Sequence, residues 1–143
     1  MKKILIFVLS IILIGTIVYY LFLKRTPYSI ASNIAGFKVP TSLTVEQFQD
    51  NWINNPGGDG ELFILFSFQE SEKENLVTAC KMNNYKPLPI NDTLPDNFIY
   101  RYIKKENQSG FYKLEKDRED KRNYQITILN LQENKLIIYT VIY

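Results

Sequence analysis

The first pattern along the chain is unbroken and apolar: Ile4–Leu23 runs for twenty residues without a charge. At about 1.5 Å per residue, a helix of that length crosses the roughly 30 Å hydrocarbon layer of a bilayer. Lys2, Lys3, Lys24 and Arg25 flank it, and Tyr19, Tyr20 and Phe22 sit near its far end. Amphipathic rings favour the headgroup level there. A cleavable signal would carry an apolar stretch of about 7–15 residues followed by a small-x-small site. This run instead ends in Tyr-Leu-Phe-Leu-Lys-Arg, and Ser29-Ile30-Ala31 comes only after two charges and Pro27. The pattern predicts an uncleaved, signal-anchor type membrane helix over residues 1–25, with the lipid bilayer as its partner through Ile4–Leu23. The charges on the two sides nearly tie, but a very short basic tail before a first apolar helix favours a cytoplasmic tail. The expectation is a single-pass cell-membrane protein with its domain on the extracytoplasmic side.

Beyond the anchor the periodicity changes. Residues 26–36 are small and polar with one proline, and read as a linker to a soluble domain over 37–143. Phe37-Lys38-Val39 suggests a short strand ended by Pro40. Thr44 with Gln47 matches a capping box, and Leu43 with Phe48 matches a hydrophobic staple. Val45, Phe48 and Trp52 then share one helical face, and Asn55-Pro56-Gly57-Gly58 stops the element. Leu62–Phe68 is apolar on both alternating faces, as in a strand covered on two sides. Ser71 with Glu74 opens a second helix that buries Leu76, Val77 and Cys80 and ends at Asn83-Asn84. Three prolines between Lys86 and Asn97 mark an extended loop. The last third alternates as a meander. Phe98–Lys104 is expected to pair with Phe111–Lys116, and Tyr124–Leu131 with Lys135–Tyr143. The last pairing is expected to place Ile128 opposite Tyr139, Ile126 opposite Val141 and Tyr124 opposite Tyr143. The predicted class is α+β: a mostly antiparallel sheet of four to six strands, a C-terminal β-meander and two helices on one face.

Composition removes several functions. Four of the 17 basic residues flank the apolar run, leaving 13 basic against 15 acidic residues from Thr26 onward. A domain of about −2 lacks the basic footprint that nucleic acid requires. There is one cysteine and no histidine. An intramolecular disulfide is therefore impossible, and the commonest general base and the commonest zinc ligand are missing.

Candidate chemistry is sparse. Gly57-Gly58-Asp59-Gly60 lacks the Gly-Lys-Ser/Thr ending of a phosphate loop and precedes a strand, so it reads as a turn. Asp50, Asp59 and Glu61 match no calcium-loop spacing. Asp117–Arg122 is a solvated charged turn. Cys80 lies on an apolar face with no histidine to activate it. Asn91-Asp92-Thr93 and Asn107-Gln108-Ser109 are short glycosylation sequons. No catalytic residue, cofactor or metal site is expected. The one candidate interaction surface is Tyr100 and Tyr102, placed by the expected first hairpin on the same face as Lys113 and Glu115. Aromatic groups mixed with charge suit a binding face. Tyrosine also covers the outer side of many strands, and that plainer reading carries more weight.

These observations point to a membrane-anchored, non-catalytic binding or interaction domain with a protein partner. One version is an envelope protector, of immunity type, that neutralises such a partner. A carboxylate-dependent glycan hydrolase would need two acids flanking a cleft. An accessory subunit of a membrane complex would use its anchor for assembly, but the helix has neither GxxxG nor an internal charge.

Overall fold

In a computed structural model, residues 10–17, 26–51, 59–94, 98–103 and 109–143 are described. Residues 10–17 are helical, and the rest of the Ile4–Leu23 run lies outside the described residues. Among the described residues no helix is long and apolar enough to cross a membrane. The expected transmembrane helix therefore finds no support in the structure.

The fold class is α+β, with one six-stranded antiparallel sheet. Its strands are β1 (Thr44–Asp50), β2 (Gly60–Ser67), β3 (Lys86–Pro87), β4 (Gly110–Lys116), β5 (Tyr124–Asn130) and β6 (Lys135–Ile142). Their spatial order is β1-β2-β6-β5-β4-β3. Helices α1 (Pro27–Ala35) and α2 (Glu70–Met82) bury Ala31, Ala35, Leu76 and Cys80 against Leu62, Ile64, Phe66, Leu129, Leu136 and Ile138. The opposite face holds Phe63, Tyr112, Tyr124, Ile126, Ile128, Ile137, Tyr139 and Val141. There the cover is irregular chain carrying Leu94, Ile99 and Ile103. β2, β5 and β6 thus bury side chains on both faces, which is why their sequences are apolar at nearly every position.

Several expectations are corrected. The 26–36 linker is mostly helix α1. Thr26 caps it by accepting from the Ser29 amide (3.2 Å), the Ser29 hydroxyl returns the contact to the Thr26 amide, and Pro27 supplies the first turn. Gly36 ends it at φ 75°. The helix is held by its tyrosine neighbours: the Tyr28 hydroxyl donates to the Leu43 carbonyl (2.7 Å), and that of Tyr85 to the Ala35 carbonyl (2.9 Å).

The segment from Thr44 is a strand rather than a helix. β2 offers it a full antiparallel ladder, from Thr44 opposite Ser67 to Asp50 opposite Leu62, and that pairing overrides the local helix signal. The register slips between Val45 and Gln47, so Val45 and Phe48 both face the helices opposite Phe66 and Ile64. Trp52, expected on the same helical stripe, lies outside the described residues. Phe37–Val39 is not a strand.

Residues 98–103 do not pair with β4, and Lys104 lies outside the described residues. Ile99–Arg101 is a 3₁₀ turn, and β4 is flanked by β5 and the two-residue β3 instead. The aromatic residues that suggested a strand serve as cover. The Phe98 ring stacks on Tyr139 at 4.6 Å, and Tyr102 lies 4.6 Å from Phe63.

The last hairpin forms, but its register differs by two residues from expectation. Tyr124 faces Val141, Ile126 faces Tyr139 and Ile128 faces Ile137. The loop still has four residues but spans Leu131–Asn134, with Asn130 opposite Lys135. The Asn130 Oδ1 accepts from the Gln132 and Glu133 amides and fixes that start. A shift of two keeps every side chain on its face.

The helix from Glu70 is capped at Gln69 rather than Ser71, with Glu70 and Glu72 in its first turn. It ends at Asn83, as its sequence indicates.

Candidate functional site

The four candidate surface residues divide between the two sides of the sheet. Tyr100 and Tyr102 are half-buried and pack on the irregularly covered face. Lys113 and Glu115 alternate with Tyr112 and Leu114, which belong to that face, and so point to the helix side. Sequence reasoning joined them because it paired 98–104 with β4. A strand there would have carried the tyrosines alongside Lys113 and Glu115, whereas after the 3₁₀ turn Tyr102 lies over Phe63.

Glu115 lines a groove, and Lys113 is its ion-pair partner. Glu115, Gln125, Thr140 and Leu62 are consecutive cross-strand neighbours on β4, β5, β6 and β2. A shallow groove of about 240 Å³ lies over the Glu115, Gln125 and Thr140 end of the sheet, with Lys116, Asp117, Asn123, Tyr124, Val141 and Ile142 completing its lining. Lys113 Nζ sits 2.7 Å from Glu115 Oε1, and Gln125 Nε2 donates to Glu115 Oε2. The Lys113 ammonium and the Gln125 amide hold the Glu115 carboxyl below the usual carboxylate range. A depressed carboxyl contributes its stability above the unfolded pKa and loses it as pH falls through the folded one. Lowering the pH below the ordinary glutamate range should therefore loosen this bridge, readable as a fall in thermal midpoint that is smaller in Glu115→Gln, where the other depressed carboxyls remain. Thr140 is 6 % exposed, and its Oγ1 has no hydrogen-bond partner among the described residues. Gln125 and Thr140 were not singled out in the sequence. The available signal was that each is a polar residue among the mostly apolar positions of its strand.

A second shallow groove, about 260 Å³, lies on the other face between Leu65, Arg101, Tyr102, Glu133 and Lys135. Lys135 forms an ion pair with Glu46, which lowers the Glu46 pKa. The Arg101 guanidinium stands 5.9 Å from the Phe98 ring centre.

Near the β3 edge, Tyr112 donates to Asp92 Oδ2 (2.8 Å), which also binds Lys86 Nζ (3.1 Å). Both contacts depress the Asp92 pKa, Tyr112 first. They tie the 88–94 stretch to the strand below it. Cys80 is fully buried, and desolvation pushes its thiol up to about 12. It stays protonated at neutral pH and is a poor nucleophile. The Asp117–Arg122 turn is a self-contained loop. Asp117 Oδ1 accepts from the Glu119 and Asp120 amides, and the Arg122 guanidinium holds the Asp120 pKa down to about 2. Gly57 and Gly58 lie outside the described residues, and Gly60 begins β2. Among the described residues no three of His, Cys, Asp and Glu gather as a metal site.

Comparison of the chain with protein families, with curated proteins and with solved structures finds no match.

Proposed function

We propose that the chain is a membrane-tethered, non-catalytic binding domain held by Ile4–Leu23 and displayed on the extracytoplasmic side. The observation that carries this reading is the state of the groove carboxylates. Glu115 is committed to Lys113 and Gln125, and Asp117 to two backbone amides of its own turn. A hydrolytic pair needs one acid kept protonated near neutral pH and the other free to act as base or nucleophile. Glu115 is driven the other way, and each carboxylate already has its partners. The buried thiol at Cys80 adds no nucleophile. The grooves are shallow, so recognition falls to the exterior of the sheet.

The tether is tested by fractionation. The intact chain should stay with membranes through an alkaline carbonate wash, and deletion of residues 4–23 should release it. Release of the intact chain by high salt alone defeats the tether.

Sidedness is tested by labelling. Lys121 is exposed in the charged turn and Cys80 is buried, so Lys121→Cys should give the only reactive thiol. It should react with a membrane-impermeant maleimide in cells whose inner membrane is intact. Reaction only after that membrane is permeabilised reverses the assignment.

A further inference from the structure

The two edges of the sheet are built differently. At one edge β3 is only two residues long and contains Pro87. The chain after it stays bound to β4: the Leu88 amide donates to the Gly110 carbonyl, and Lys116 Nζ donates to the Thr93 carbonyl. A short edge with proline and a covering loop is closed to further pairing. At the other edge β1 is seven residues long and ends the sheet order.

The outward hydrogen-bonding groups of β1 follow from one bond. The Asn51 amide donates to the Glu61 carbonyl at 3.0 Å, which marks residues 51 and 61 as a bonded pair. Bonded and non-bonded pairs alternate along an antiparallel ladder. Counting back, Gln49–Phe63 and Gln47–Leu65 are bonded to β2. Phe48, opposite Ile64, therefore directs its N–H and C=O away from the sheet. Its ring is 40 % exposed beside them. A backbone pair and an apolar side chain presented together are what an added strand uses for affinity and for register.

Charge selects the occupant. β1 carries no basic residue; its Glu46 is already paired with Lys135, but Asp50 stands at its end, with Asp59 and Glu61 at the adjoining start of β2. A second copy would bring the same acid-rich end against itself: with Asp50 opposite itself, two carboxylates meet directly. Like charges directly opposite destabilise a sheet.

We infer that β1 is a docking edge for an extended, basic segment of a different protein, added as an antiparallel strand with an apolar side chain against Phe48. This rests on the binding-domain reading and names the partner class for it.

The probe is a fluorescent peptide of alternating lysine and valine, titrated into the detergent-solubilised full chain. Binding should weaken about tenfold or more when the peptide is N-methylated along its length, when glutamate replaces its lysines, and in the Phe48→Pro protein. Proline removes the outward N–H of Phe48 and spares the bonds to β2. If Phe48→Pro does not fold, the N-methylated peptide makes the same test on the unaltered protein. Equal binding of the N-methylated and plain peptides reduces the effect to charge and overturns the inference. Failure of the lysine–valine peptide to bind also overturns it. The binding-domain reading would still stand in that case if a photocrosslinker at Gln125 in intact membranes gave a discrete adduct. A dimer in sedimentation that Phe48→Pro dissolves assigns the edge to self-pairing and overturns it too.

Discussion

Gly110→Ala is expected to unfold the domain or bring it close to unfolding. Gly110 begins β4 opposite Asn130, at φ 145°. A Cβ there would stand 1.9 Å from the Leu129 carbonyl oxygen, a backbone atom that moves only if β4 parts from β5. Forcing extra volume into packed structure costs about 1–3 kcal/mol. Holding an L-residue at such a φ costs about 1–3 kcal/mol more. Together these reach about 4 kcal/mol, against a total stability of about 5–15 kcal/mol for a domain. Gly36→Ala is the control. Gly36 also has a positive φ, at 75°, but its nearest atom to an added Cβ is 3.6 Å away. It should cost only the conformational strain, about 1 kcal/mol. Urea melts of the two variants measure the difference. Equal midpoints would show that the β4–β5 contact yields easily and that this sheet half is loosely held.

Tyr139→Ala is the second large effect. Tyr139 is 1 % exposed at the middle of β6, between Phe63 on β2 and Ile126 on β5. Phe98 stacks on it, and Tyr124 meets it at 5.7 Å edge to face. Truncating a buried aromatic to alanine typically costs about 3–5 kcal/mol. Phe98→Ala should cost less, because that ring is half-buried. The double variant should show a coupling of about 0.5–1.5 kcal/mol from the lost stack. A loss below about 1 kcal/mol for Tyr139→Ala would mean that the 98–103 cover does not seal this face.

Legibility followed the physics of each segment. β2 and the paired strands of the last hairpin were readable because long apolar runs admit few alternatives to a strand buried on both sides. The Glu70 helix was readable from its Leu76–Cys80 face. The β1 segment was ambiguous in itself: Thr44, Val45, Gln47 and Phe48 satisfy a capping box as well as a bulged edge strand. Only β2, contributed from elsewhere, decided between them. Helix α1 had its signals in plain view, Thr26-Pro27 at the start and Gly36 at the end, but its buried face is made of alanines. Hydrophobic periodicity hardly registers such a face. The Tyr100–Tyr102 alternation imitated a strand. It was overridden because the aromatic floor of Phe63 and Tyr139 could be covered only from that loop. For the candidate groove, Glu115 was legible together with its partner Lys113, while Gln125 and Thr140 required the strand order to become neighbours of Glu115.

That strand order also shapes how the domain must assemble. β1 and β2 can meet as a local hairpin, and β4 and β5 as another, but the two hairpins never touch each other in the sheet. β6 lies between them, pairing with β2 through residues far apart in sequence and with β5 next door. Until β2 and β6 pair, each part has an open inner edge flanked by large apolar side chains, Phe63 and Ile64 on one and Ile137 and Ile138 on the other. Long-range pairing of this kind slows folding, since the loop entropy is lost before the contacts form. The long-range step is then the β2–β6 ladder, which joins the β1–β2 hairpin to the locally connected β4–β5–β6 meander. Solutions refolding at high concentration should lose material to aggregation in that interval, more through the inner edges than through β1.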